Sequence, residues 1–178
     1  ILDEKAVGIY TIGYQSGLVM FIFSQSINRA WTPWFYERLK KNSNSDNLKS
    51  ILILYKISLL FIFTGVFLCI VGWVLLPHLF GEIYSDSTYV FYWIIFAFVI
   101  QGLWSLISAY LYYTGETIWI SLSSIFAAIL NIGISIILVS NYGLIGAAQG
   151  TFLAYLIALI FLLLITVKKA PLPWLLRK

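Results

Sequence analysis

The sequence predicts an all-α polytopic membrane protein: one bundle of five transmembrane helices, with no separate soluble domain. Three observations lead there. Of the 178 residues 61% are hydrophobic and 10% charged, with a mean hydropathy of +0.94; a soluble domain carries about 45–50% apolar and about 25% charged residues. Five apolar stretches, residues 6–30, 51–76, 89–113, 117–139 and 144–167, are each long enough to cross a bilayer, since a helix needs about 20 residues to span a hydrocarbon core of about 30 Å. The period-two alternation of a membrane barrel is absent. The 178 residues read as a single transmembrane domain, and because the chain starts at Ile1 it is expected to be a fragment of a longer protein.

The first segment, 6–30, is the least apolar. On a helical wheel Tyr10, Tyr14, Gly17, Phe21, Gln25 and Asn28 fall on one face. That face reads either as the wall of a polar cavity or as a helix–helix interface in which Gly13 and Gly17 allow close approach. Pro33 is expected to end or kink this helix. Residues 34–41 then read as a short interfacial helix, aromatic first and basic later, and 42–47 as a polar linker.

The second segment, 51–76, holds the unbroken apolar run 57–76 and the single cysteine, Cys69, so neither a disulfide framework nor a cysteine metal site is expected. Lys56 lies about one and a half turns inside this span. Together with Arg29 it offers the only cations near the membrane body. Both suit an anionic headgroup, Arg29 through bidentate phosphate contact; snorkelling to the interface is the alternative for Arg29 and the favoured reading for Lys56. His78 and Glu82 have the spacing of a helical ligand pair, but Gly81 between them makes a metal role a weak expectation. No cofactor is implied.

The last two segments form a hairpin around Ser140-Asn141-Tyr142-Gly143, a link of turn formers that forces antiparallel neighbours. Gly146, Ala147, Ala148 and Gly150 then provide a small-residue face. Gln101, Asn131 and Gln149 are uncharged polar residues within spans, expected chiefly to hydrogen-bond between helices, with Asn131 also a cavity candidate.

Charge sets the orientation. The net charge is +4 and the pI about 9.1, yet the basic residues flank apolar segments and do not interleave along a polar face, so nucleic acid is excluded as a partner. Ten of the eleven basic residues lie beyond the first or fifth segments or border them, and Lys5 alone lies on the other side. The positive-inside rule puts the ten in the cytoplasm, the N-terminus outside and the C-terminus inside. No Asp or Glu lies inside a span and no catalytic constellation is visible, so no enzyme activity is expected.

The runs V-G-I-Y-T-I-G-Y-Q (7–15), N-R-A-W-T-P-W-F-Y (28–36), L-P-H-L-F-G-E-I-Y (76–84) and A-I-L-N…Y-G-L-I-G-A-A…T…Y (128–155) follow one another along the chain. In that order and spacing they resemble the C-terminal half of the polysaccharide biosynthesis flippases. These are the translocases of O-antigen and capsule repeat units in the superfamily that includes the MATE transporters. The resemblance implies part of a MATE-like C-terminal lobe, facing an N-terminal lobe across a central cavity, in the bacterial inner membrane. It implies an undecaprenyl-pyrophosphate-linked oligosaccharide as substrate and membrane lipids as surroundings. Arg29 is the candidate for the pyrophosphate, with Tyr10, Tyr14, Gln25 and Asn28 beside it. Glu116, after Gly115, departs from the basic residue expected there. The alternatives are a MATE-type drug/cation antiporter, which needs intramembrane carboxylates; a repeat-unit polymerase or ligase, which needs a long catalytic outer loop; and an accessory membrane subunit.

Overall fold

The computed structural model describes residues 4–41, 43–80, 86–170, 172 and 174. They form four α-helical elements: α1 (Glu4–Lys41), α2 (Asn44–Phe80), α3 (Ser87–Tyr113) and α4 (Thr117–Lys169). All four are long and apolar enough to cross a membrane, which suits a multi-pass membrane protein.

Four elements appear where five spans are expected, because the last two expected spans are the arms of α4. The expected break at Ser140–Gly143 shrinks to one residue. Helix continues through Ser140, Asn141 and Tyr142, and only Gly143 leaves helical geometry, at φ 58° and ψ −131°. That region is open essentially to glycine alone. The Ser140 hydroxyl and the Asn141 side-chain amide both donate to the Ile137 carbonyl, so the turn formers hold the last helical turn instead of opening it. Beyond Gly143 the chain folds back. A Cβ on Gly146 would overlap the Leu138 backbone, and one on Gly150 would overlap the Ser135 hydroxyl, so the predicted small-residue face is where the two arms touch.

The α1 helix also differs from expectation. It does not end at Pro33, and 34–41 is its continuation, not a separate interfacial helix. Tertiary packing explains this. Trp31 stacks on Phe35 at 4.8 Å, and its indole nitrogen donates to the Leu106 carbonyl at 3.4 Å. Trp31 and Phe35 are both buried, whereas Pro33 and Arg29 are exposed. The Arg29 carbonyl, which loses its helical partner to the proline, therefore lies at an exposed position open to solvation. The expected linker at 42–47 is likewise mostly helix, since α2 starts at Asn44. Pro77 lies inside α2, which runs on to Phe80. Glu82, Pro171 and Pro173 lie outside the described residues.

The hub is α3, with sixteen of its 27 residues buried. It runs parallel to α1. Gly13 meets Val90, Gly17 meets Ile94 and Phe21 meets Phe98, and a Cβ on Gly17 would lie 2.5 Å from Ile94. It runs antiparallel to α2, where Gly72 meets Phe91, Gly65 meets Val99 and Phe61 meets Gly102. The α4 hairpin packs along its other side. Large apolar side chains of α2, among them Phe63, Phe67, Ile70 and Trp73, are 60–69% exposed, a surface that suits lipid and not water.

The two ends of the bundle are chemically distinct. At one end Tyr36 packs on Tyr113, Arg38 donates to Asp46, and Lys169 pairs with Glu116 while lying 5.4 Å over the Trp119 ring. Glu116 thus has a structural partner where a basic residue is expected. At the other end Ala6, Asp86, Tyr89, Tyr142 and Leu144 line one cavity. Arg38, Lys40 and Lys41 in the last turn of α1 and Lys168 and Lys169 in the last turn of α4 lie toward the first end.

Candidate functional site

Halfway along α3 and halfway along each arm of α4, three helices diverge around a cavity of about 440 Å³. From α3 come Gln101 and Trp104; from the first arm Ser124, Ala127, Ala128, Asn131 and Ile132; from the second Tyr155 and Ala158. The spacings follow from helix geometry, since residues three or four apart share a face. Alanines at 127, 128 and 158 leave the space that larger side chains would fill.

Asn131 forms the back wall. Its amide nitrogen donates to the Thr151 hydroxyl at 3.4 Å, and its carbonyl oxygen accepts from Ser135 at 3.3 Å. On the other face of the same residue lies a second cavity of about 310 Å³, lined by Val7, Tyr10, Ser135, Ala147 and Thr151 as well as Asn131. Asn131 therefore borders both hollows, and its amide is fixed from both arms. Tyr10 in turn stacks with Tyr14 at 5.9 Å, and Tyr14 meets Phe98 edge-on at 5.7 Å.

Polarity without charge is the shared character. Among the described residues no Asp, Glu, Lys, Arg or His lines either cavity. The indole nitrogen of Trp104 donates to the Ser123 hydroxyl at 3.1 Å, which holds the ring in place. Ser124 donates to the Ile120 carbonyl. Gln101 Oε1, by contrast, is shut off from solvent and has no hydrogen-bond partner among the described residues. A buried polar group left unmade costs about 1–3 kcal/mol.

Compared with family models, curated proteins and solved structures, the chain matches none.

The expected site residues divide into three groups. Tyr10, Tyr14 and Asn131 come together at the second cavity and its margin. Asn28, one of the wheel's inward residues, is buried at 5% exposure and donates through its amide nitrogen to the Gly102 carbonyl at 3.4 Å, so it serves the α1–α3 interface. Gln25 is half-buried on the same helix, and neither cavity includes it. Arg29 and Lys56 are exposed, line neither cavity and form no ion pair with a described residue. One residue of helix turns the direction by about 100°, so Asn28 points in and Arg29 out. His78 bonds the Val74 carbonyl one turn back, and among the described residues no group of three His, Cys, Asp or Glu is placed to hold a metal.

Trp104, Tyr155, Ser124, Ser135 and Thr151 were not among the expected residues. Their signal is in the sequence: Gln101 and Trp104, Ser124 and Ala128, Asn131 and Ser135, Tyr155 and Ala158 are pairs at helical spacing within apolar runs. Gln101 and Gln149 were expected to bond between helices; of the three intramembrane amides expected to do so, Asn131 does.

Proposed function

We propose that this chain is the C-terminal part of a flippase that moves undecaprenyl-pyrophosphate-linked oligosaccharide repeat units across the bacterial inner membrane for surface polysaccharide synthesis. Its N-terminus then lies outside and its C-terminus in the cytoplasm. The observation that carries the reading is the uncharged polar seam of Tyr10, Asn131, Thr151 and Ser135, set between the middle of the α4 hairpin and its Gly143 end, on helices long enough to span. Polar groups at that depth are costly and need a use. Hydroxyl-rich sugar crossing the membrane needs amide and hydroxyl partners together with aromatic faces. A cation antiporter needs a carboxylate there, and no described residue supplies one. The resemblance of the four sequence runs to the flippases points the same way.

In this scheme the seam belongs to the wall along which the sugar moves as the two lobes rock. Arg29, exposed and in no ion pair with a described residue, toward the basic end of α1, meets the pyrophosphate at the cytoplasmic interface. No covalent bond is made or broken.

The test is complementation. A strain lacking its repeat-unit flippase receives the full-length protein to which this chain belongs, and surface glycan and accumulated lipid-linked intermediate are measured. Restored glycan with cleared intermediate is the expected result, with Asn131→Leu and Arg29→Ala each lowering export at unchanged expression. Failure in several strains of different glycan, with the protein well expressed, overturns the reading and directs attention to cation efflux.

A further inference from the structure

We propose that the 440 Å³ cavity between α3 and the α4 hairpin is a binding site for the neutral, hydroxyl-bearing headgroup of a membrane amphiphile that enters sideways from the bilayer. This stands apart from the flippase reading, because it requires binding and not translocation.

The ligand's chemistry follows from the lining. Of the polar side chains there, Asn131, Trp104 and Ser124 are engaged by Thr151, Ser135, Ser123 and Ile120. Gln101 and Tyr155 are not: no hydrogen bond joins either side chain to a described residue, and Gln101 Oε1 is buried without a partner. The site thus offers the Gln101 amide, which donates through its nitrogen and accepts once its end group turns to bring the closed-off Oε1 to the cavity, and one phenol hydroxyl, which donates and accepts. A hydroxyl on the ligand answers both, since it too donates and accepts. With no charged residue among the described residues of the lining, an ionised headgroup would lose its hydration without a counter-charge, which selects for neutral ligands. The rest of the wall is alanine, isoleucine and the Trp104 ring, which suits a short apolar stretch next to the hydroxyl.

The route follows from exposure. Ser124, Ala128 and Ile132 line the cavity and are themselves exposed, one helical turn apart, so they form its mouth. Ile125, Ile129 and Ile136 beside them are 57–63% exposed, so the rim is apolar. An opening rimmed by isoleucine at mid-depth of a spanning helix admits molecules from lipid, not from water.

Three photoreactive probes that share one diazirine-bearing acyl chain provide the test: a monoacylglycerol, the methyl ester and a permanently charged sulfate ester. Each is equilibrated with the protein in lipid nanodiscs, irradiated, and the labelled peptides mapped. The monoacylglycerol is expected to label the segments around Gln101, Ala128 and Tyr155 about fivefold or more above the other two probes, the margin of a single buried hydrogen bond. Gln101→Leu and Tyr155→Phe should each bring it down to the level of the methyl ester, and Ala128→Trp, which fills the mouth, should abolish labelling there by all three. Equal labelling by the three probes overturns the proposal, leaving a groove that holds acyl chain only. So does monoacylglycerol labelling that is unchanged in both Tyr155→Phe and Ala128→Trp when these variants remain monodisperse. Glycan export is not read in this experiment, so its outcome and that of the complementation are separate.

Discussion

Asn131 and Thr151, twenty residues apart, are joined across the α4 hairpin by a hydrogen bond from the amide nitrogen to the hydroxyl at 3.4 Å. The bond ties the two arms at mid-depth, where water is scarce, and it orients the amide that borders both cavities. Interhelical bonds of this kind in membranes contribute about 0.6 kcal/mol on average and up to about 1.7 kcal/mol. A double-mutant cycle of Asn131→Ala and Thr151→Val, read by reversible unfolding in mixed micelles, should return a coupling in that range. Strict additivity of the two losses would show that the arms are held by packing alone.

Gly143 and Gly133 should respond in opposite directions to the same change. Neither has a neighbouring atom that an added Cβ would meet, so only the backbone decides. Gly143 sits at φ 58° in a conformation that alanine resists, and Gly143→Ala should destabilise by about 1–3 kcal/mol. Gly133 is an ordinary exposed helical position, and Gly133→Ala should stabilise by about 0.5–1 kcal/mol. Unfolding of the two variants side by side checks both signs.

Pro33 is a second position where a local defect is tolerated. It is exposed within α1, while Trp31 and Phe35 on either side are buried against α3. Pro33→Ala restores the bond to the Arg29 carbonyl and removes a penalty of about 3 kcal/mol intrinsic to proline within a helix. The gain should be smaller than that, about 1–2 kcal/mol, because the surrounding packing has already adapted to the ring. A loss of stability would mean that α1 needs the irregularity there.

The pairing of helix ends gives a topology that can be measured directly. Tyr36–Tyr113, Arg38–Asp46 and Lys169–Glu116 share one end, and Asp86, Tyr89 and Tyr142 share the other. With Cys69 replaced by alanine, single cysteines at Asn47 and Thr114 should react with a membrane-impermeant maleimide only after the cytoplasmic face is opened. Those at Asp86 and Tyr142 should react in intact cells. Reaction of Thr114 and Tyr142 from the same side would contradict the hairpin.

The class of fold was legible because apolar length and the near absence of charge leave few alternatives. The α4 turn was legible to within three residues, since Gly143 is the one position in Ser140–Gly143 that needs glycine geometry, while Gly146 and Gly150 mark the face where the arms meet. Helix ends were not legible. Pro33 and the polar residues from Asn44 read locally as breaks, and contacts from distant residues, Trp31 with Leu106 above all, override them. At the candidate site, Tyr10 and Tyr14 were found from periodicity and Asn131 from being a lone amide. Arg29 was set beside them through its nearness to Asn28 in the chain, although adjacent helical residues face different ways. The Gln101–Tyr155 cavity was missed because it needs three helices at once, and no single helical wheel contains it.

The one-residue turn at Gly143 bears on how the protein is made. The only residues at the tip of the α4 hairpin are Ser140, Asn141, Tyr142 and Gly143, none of them charged, and every polar side chain between the arms that bonds across them does so within the hairpin itself. The last two crossings can therefore enter the bilayer together as a preassembled pair, with no charged residue in the link between them.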